Sequence, residues 1–378
     1  MEMSAHEVAH IIGRVKDQLP EIVRNTWKQR TLYALMRCRT AAMGGHIDQC
    51  DHPTCGKLHL SYNSCRNRHC PKCQGHLREQ WIAKREADLI NVPYFHVVFT
   101  LPDHLNELAL AQPKLIYGLL FQTAWRVIRD FGANPKMLGA KMGMIAVLHT
   151  WGQNLSLHPH LHCIVPAGGV TEHGKWKTAK SKSKPGCRKA RYLFPVKAMS
   201  KVFRARYVEG LRKQGDLQQA LADKLFAKPW VVFAKRPFFG PRQVIEYLGR
   251  YTHKIAISNS RIMEVSGHQV AFRAKDYRQA GKPITLKLSC QEFIRRFSLH
   301  ILPRGYTRIR HFGMLNSRVK GKYKEAADQQ LGQVCIVVAP KPIVHRMCPA
   351  CGKGKLQTML TFDKRGPPDA RYIKLLAS

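Results

Sequence analysis

Between residues 158 and 165 the chain reads HPHLHCIV, with three histidines in five positions ahead of a β-branched apolar run. On a strand, residues two apart share a face, so His160 and His162 would point together while Leu161 points into a core. Two imidazoles on one face leave room for a third donor from a neighbouring strand, and such a trio can hold a divalent cation. In the preceding HTWGQNLSL (149 to 157), Gln153 and His149 are the candidates for that donor. A buried, hydrogen-bonded pair of structural histidines is the competing reading, in a chain that holds 19 of them.

A second constellation is CDHPTCGKLHLSYNSCRNRHCPKC at residues 50 to 73. Two knuckles, Cys50-x4-Cys55 and Cys70-x2-Cys73, stand either side of a short β-like stretch. Four thiolates so spaced can close a tetrahedron around structural zinc. Cys50, Cys55, Cys70 and Cys73 are therefore expected on one ion. Cys65 is the spare, which His46, His59 or His69 could help build into a second site. Arg66, Arg68 and Lys72 crowd the knuckle, as phosphate contacts or as a solvated rim. Cys348-x2-Cys351, with His345 upstream, is half a zinc site needing ligands from elsewhere.

A third is PRQVIEYLGRYTHK at residues 241 to 254, where a proline opens a helix. Tyr247 and Tyr251 are four apart and share a face that Lys254 extends. A phenol is mostly neutral near pH 7, but beside cations such as Arg250 and Lys254, and opposite a metal-polarised electrophile, it becomes a nucleophile. The bland alternative is an aromatic pair in a core.

Composition sets the context for these groups. The 378 residues carry 63 Lys and Arg against 24 Asp and Glu, a net charge of +39, with 44% apolar residues. This describes a globular protein of two or three domains with a polyanionic partner, nucleic acid above all. The charge is spread along the chain and not gathered on one amphipathic helix, which argues against a membrane surface. The N-terminus lacks a secretory pattern, and no apolar run of membrane-spanning length occurs. The 12 cysteines are then expected as metal ligands or buried thiols in a reducing cytoplasm. There is no GxxxxGK[ST] phosphate loop, so any ATP-driven work falls to a partner.

Several elements must position these residues. Periodicity predicts two helices within residues 6 to 40, a helix over 72 to 90, a strand over 94 to 102 and helices to about 131. Strands are expected at 144 to 151 and across HLHCIV, and a helix near 195 to 213. A strand should follow at 230 to 238, then a hairpin turning at Ser266–Gly267 and a helix in CQEFIRRFSLHILP. Residues 173 to 192 carry eight Lys or Arg, Lys175, Lys177 and Lys180 among them, and no acid, which suits a loop tracking a phosphate backbone. Helices and strands mix without a regular βαβ rhythm, which predicts an α+β fold with a central antiparallel sheet. The expected domains are a helical and zinc-binding region at 1–90, a catalytic domain at 91–320 and a basic tail at 321–378.

The strand FTLP (99 to 102), the His-Leu-His of 160 to 162 and the Tyr-x3-Tyr-x2-Lys of 247 to 254 stand in the order of the three motifs of HUH endonucleases. With SCRNRHCPKC and EFIRRFSLHILPRGYTRIRHFG (292 to 313), the chain resembles the rolling-circle insertion-sequence transposases with an N-terminal zinc-binding domain, the IS91 family. The likeness runs from about residue 25 to 351.

That resemblance implies an HUH nuclease domain in which His160 and His162 bind Mg2+ or Mn2+ against a scissile phosphate, with Gln153 chosen over His149 as third ligand. It implies that Tyr251, in the Y-x-x-K frame, and Tyr247 attack single-stranded DNA of element ends and target, leaving 5′-phosphotyrosine and a free 3′ hydroxyl. Arg308 and Arg310 join Arg66, Arg68, Lys72, Lys175, Lys177, Lys180 and Arg250 as candidate DNA contacts. A host helicase or replication machinery would be a partner, in the nucleoid of a bacterial cytoplasm. A replication initiator or relaxase would share the chemistry but not the zinc cluster. A zinc-dependent DNA-binding regulator would leave both the histidine and the tyrosine pair without purpose.

Overall fold

The computed structural model describes residues 6–73, 88–179, 193–215, 217–234, 255–276, 279, 281–333 and 346–366. The chain opens with three helices, α1 (Val8–Arg14), α2 (Leu19–Ile22) and α3 (Thr26–Met36). The Asn25 side chain caps α3 by accepting from the Lys28 amide at 3.1 Å. Strands β1 (Gly45–Cys50) and β2 (Leu58–Tyr62) follow. Next come β3 (Tyr94–Thr100), α4 (Asn106–Ala111), α5 (Pro113–Ala133), β4 (Gly143–Trp151) and β5 (Leu157–Pro166). Two short strands, β6 (Gly168–Val170) and β7 (Trp176–Thr178), lead to α6 (Val196–Lys213), α7 (Gln219–Ala227) and β8 (Val232–Ala234). The meander β9 (Ile262–Ser266), β10 (Gln269–Asp276) and β11 (Lys282–Ser289) runs into α8 (Cys290–Leu299). Last are β12 (Ile309–Gly313), α9 (Lys320–Leu331) and β13 (Leu356–Phe362).

The chain divides into two compact units. One gathers Met1–Gly75, Ile257–Ser298 and Val337–Ser378; the other holds His76–Ala256 and Leu299–Ile336. The first unit is therefore discontinuous. The segment expected as a separate basic tail supplies β13, which pairs with β1 in the antiparallel sheet β13-β1-β2. No local periodicity announced this, because a strand's partner is a property of the whole chain.

The second unit is built on the antiparallel sheet β12-β4-β5-β3-β8. Along β5 the odd residues Leu157, Leu161, Cys163 and Val165 are buried in one core. Leu161 pairs with Leu148 on β4 and Phe99 on β3, so all three strands send the same face into it. Helix α5 covers that face with Ile116, Tyr117, Leu120, Phe121, Ala124, Val127 and Ile128, at i, i+3 and i+4 spacing. Its proline start is pre-organised for a helix. The opposite face carries Ile145 and Ile164, packed with Leu89, Ile90, Tyr94 and Met314. The rest of that face holds the histidines.

Observed elements follow the expected ones at β3, β4, β5, α6, the β9–β10 hairpin and α8. The helix expected over 72 to 90 lies mostly, and that over 241 to 254 wholly, outside the described residues. In the expected phosphate-tracking loop, residues 176 to 178 form β7, paired with β6. Among the described residues no helix is long and apolar enough to cross a membrane.

Candidate metal centres and active site

Even-numbered residues of β5 and β3, and odd-numbered residues of β4, point to the second face of the central sheet. The register sets His149 directly opposite His160, and Val147 opposite His162. A nitrogen of each of His149, His160 and His162 lies within 4.8 Å of the others. Ring centroids are 4.4 Å apart for His149 and His162, 4.9 Å for His160 and His162, and 5.4 Å for His149 and His160. His149 is only 2% exposed.

The outer nitrogens of this trio are held from behind. His160 Nδ1 donates to the carbonyl of His158 at 2.6 Å. His162 Nδ1 lies 2.8 Å from Nε2 of His96, a buried residue of β3 whose ring stacks on His162 with centroids 5.1 Å apart and 9° between planes. Tying down Nδ1 fixes the tautomer and orients Nε2 toward a shared point, the usual arrangement behind ligating histidines. The trio therefore fits a divalent cation.

The residue opposite His160 is thus His149 and not Gln153. Gln153 lies in the turn between β4 and β5, past a register shift between His149 and Trp151 that a straight ladder does not anticipate. His300 fastens this turn: its Nδ1 is 3.2 Å from Thr150 Oγ1, and its Nε2 reaches the Leu155 carbonyl at 3.1 Å. Trp151 stacks on His149 at 4.6 Å, and the buried Arg308 guanidinium sits 5.5 Å from the Trp151 ring centre. Sequence reasoning missed His96 and His300. His96 sits three residues before FTLP, two-residue spacing from Val98 and Thr100, and was legible only once the β3–β5 register was known.

The cysteines regroup. The four thiols expected on one ion fall into two sets. Cys70 and Cys73 join Cys38 and Cys65; Cys50 and Cys55 join Cys348 and Cys351. In the first set Cys38 and Cys73 sulfurs are 3.6 Å apart, and Cys65 and Cys73 are 3.7 Å apart. Four sulfurs at about 2.3 Å from a tetrahedral zinc stand about 3.8 Å from one another, so these spacings suit the ion. Hydrogen bonds from Cys65 and Cys70 draw the Cys38 thiol well down, and the bond with Cys38 pushes Cys65 up to about 12. The Cys65 amide also approaches Cys38 Sγ at 3.4 Å. Cys38, at the end of α3, was not foreseen because it stands alone in sequence, outside either knuckle.

Two of the histidines offered for Cys65 have other partners. His46 Nε2 is 3.4 Å from Asp48, and His59 Nε2 is 3.2 Å from Cys348 Sγ. His69 is buried with its amide on the Asn67 side chain.

Two of the expected DNA contacts, Lys72 and Arg310, also make contacts within the chain. Lys72 pairs with Glu7 at 2.6 Å and donates to the Cys38 carbonyl at 3.2 Å. Arg310 lies over the rings of Phe121 and Tyr306, 4.4 and 5.3 Å from their centres, a packing that its flat cation favours. Arg68 is half-buried, while Arg66, Lys175 and Lys177 are exposed. Tyr247, Arg250, Tyr251, Lys254 and Lys180 lie outside the described residues, as does His345.

Similarity to known proteins converges on one family. The family described as "Transposase zinc-binding domain", the IS91 type, matches residues 14–101, and that described as "Putative transposase" matches residues 143–322. The chain is 40% identical to "Putative transposase y4qJ" of Sinorhizobium fredii over 97% of its own length and 98% of that protein's. It is 30% identical to "Transposase for insertion sequence element IS801" of Pseudomonas savastanoi pv. phaseolicola, over 78% of this chain and 71% of the relative. No solved structure matches it. With its zinc-binding and transposase regions both matched, and a relative aligned almost end to end, the chain belongs to the IS91 family of insertion-sequence transposases.

Proposed function

We propose that this transposase cuts and rejoins single-stranded DNA by tyrosine attack on phosphorus, at a divalent ion held by His149, His160 and His162. The observation that carries the reading is the histidine trio with Nδ1 of two members tied to His158 and His96. Such an ion, Mg2+ or Mn2+, supplies Lewis-acid polarisation of a non-bridging phosphate oxygen and a fixed point for the substrate.

The nucleophile is assigned to Tyr251, with Tyr247 for a second strand event. Three buried tyrosines are poor alternatives. Burial pushes the phenols of Tyr94, Tyr117 and Tyr207 above their ordinary range, the wrong direction for attack. As the Tyr251 oxygen bonds to phosphorus its proton departs. The phosphorus–O3′ bond breaks, and the 3′ oxygen leaves with a proton as a hydroxyl. The DNA 5′ end is then held as a phosphotyrosine ester. One ester has replaced another, so rejoining to a different 3′ hydroxyl needs no ATP.

The net charge of +39 supports a DNA substrate through counterion release, with Arg66, Lys175 and Lys177 as exposed contributors. Rolling-circle transposition with a host helicase, in the nucleoid, completes the proposal.

The test is incubation with labelled single-stranded element ends and Mn2+, followed by a denaturing gel. Wild type should give a covalent protein–DNA band. The His160→Ala, His162→Ala double variant should lose it while still binding DNA in a salt-sensitive manner. A metal-stimulated adduct from the double variant would overturn the assignment.

A further inference from the structure

The second cysteine set asks for its own account. The zinc-binding family match ends at residue 101, so it contains all of Cys38, Cys65, Cys70 and Cys73 but only half of the other set. Cys50 and Cys55 find their complement on the far side of the transposase match. Cys50 Sγ is 3.7 Å from Cys351 Sγ across 301 positions, and Cys55 Sγ is 3.8 Å from Cys348 Sγ across 293. A disulfide needs its sulfurs about 2.05 Å apart. A tetrahedral zinc spreads them to about 3.8 Å, the observed spacing.

We infer that the chain carries a second structural zinc, held by Cys50, Cys55, Cys348 and Cys351, which clasps the 346–366 segment to the 45–62 sheet.

Independent features of both segments serve this arrangement. Residues 348 to 354 form a knuckle: the Cys348 amide donates to the Gly354 carbonyl at 2.7 Å, and the Gly352 amide to the Cys348 carbonyl at 2.9 Å. The Gly354 amide then reaches Cys351 Sγ at 3.4 Å. Amide donors of this kind stabilise a thiolate. Gly354 is obligatory here for space, since a Cβ would collide with Cys50 Sγ and with His52. Directly after the knuckle, β13 pairs with β1 from Cys50↔Leu356 to Gly45↔Phe362. The Lys355 amide donates to Asp51 Oδ1 at 2.6 Å.

The same segment answers a buried charge. Asp48 on β1 is 0% exposed; Arg346 pairs with it at 2.8 Å, and Thr358 donates to it at 2.7 Å. Without residues 346 to 358, Asp48 would lose its main cation, and Cys50 and Cys55 the other half of their set.

Zinc content of the full chain, read by native mass spectrometry, should be two per molecule. The Cys348→Ser, Cys351→Ser variant should retain one. Its amide exchange should accelerate in Leu356–Phe362 and Gly45–Cys50 and stay slow in α5. Retention of two ions by that variant would overturn the proposal, as would one ion in the wild type with residues 14–73 folded. Should the variant fail to fold, wild-type protein decides alone. Cys348 and Cys351 should resist alkylation in the metal-loaded chain and become at least tenfold more reactive after chelation. Equal reactivity before and after would equally overturn it.

Discussion

Replacing His96 with leucine should loosen Mn2+ at the histidine trio while leaving the sheet folded. His96 touches no substrate in the proposed mechanism; it acts through His162. Its Nε2 lies 2.8 Å from His162 Nδ1, and the two rings stack nearly parallel. Leucine is close to histidine in volume, and position 96 is 2% exposed, so the replacement keeps the packing and removes the polar partner. A net hydrogen bond is worth about 0.5–1.5 kcal/mol, which alone reaches roughly tenfold in affinity. The His162 ring would also lose its fixed tautomer, and outer-shell changes at metal histidines typically cost about 10- to 100-fold. The upper half of that range is expected, because Nδ1 would face an apolar side chain in a buried place. Calorimetric Mn2+ titration reads the affinity, and quenching of Trp151, stacked on His149, reads the same event optically. His96→Gln, which can still bond to Nδ1, should recover part of the loss. Unchanged affinity in His96→Leu would refute the reasoning, and so would a glutamine variant as weak as the leucine one.

Three further outcomes are expected. Leu161→Ala, at a fully buried core position between the two histidines of β5, should lower stability by about 2–5 kcal/mol in urea unfolding, more than any change at exposed Lys175. Tyr251→Phe should abolish the first covalent adduct while Tyr247→Phe still forms it, and each should block complete transposition; full transposition by Tyr247→Phe would leave a single working phenol. Glu292 on α8 is held at about 2 by Arg295 and Arg296, below its ordinary 4.5. A depressed carboxylate stabilises above its unfolded pKa and loses that contribution as pH falls through the folded one, so the effect should fade from pH 4.5 to 2. For a partly exposed group it should amount to about 0.3–0.5 kcal/mol, and Glu292→Gln should remove that part of the pH dependence.

What the sequence disclosed was what repeats locally. The two-residue period of HPHLHCIV placed His160 and His162 on one face, and the pattern of α5 marked its buried stripe. Choices between distant partners left no such trace. His149 stands opposite His160 in the regular β4–β5 ladder, whereas Gln153 lies in the turn beyond it, a placement that depends on where β4 ends. Cys50 and Cys55 look toward Cys70 in sequence, yet β13 brings Cys348 and Cys351 to them. Arg310 and Lys72 read as surface cations because charge alone was visible; the aromatic rings beneath one and the carboxylate beside the other belong to tertiary packing.

The interleaving of the two units also sets a timetable for synthesis. The first four-thiol set spans only 35 positions between Cys38 and Cys73, so it can load while the ribosome is still making the sheet of the second unit. Cys50 must wait for Cys351, 301 residues later, which at about 5–20 residues per second is a delay of about 15–60 s. Closing so long a loop in an unfolded chain would cost about 5 kcal/mol by the logarithmic rule, and prior folding of the intervening residues shortens the effective loop. The clasp is thus a late event, made cheaper if the second unit has folded first. A nascent transposase would expose two bare thiols until its last segment arrives, and a chain interrupted before residue 348 could not close the second site.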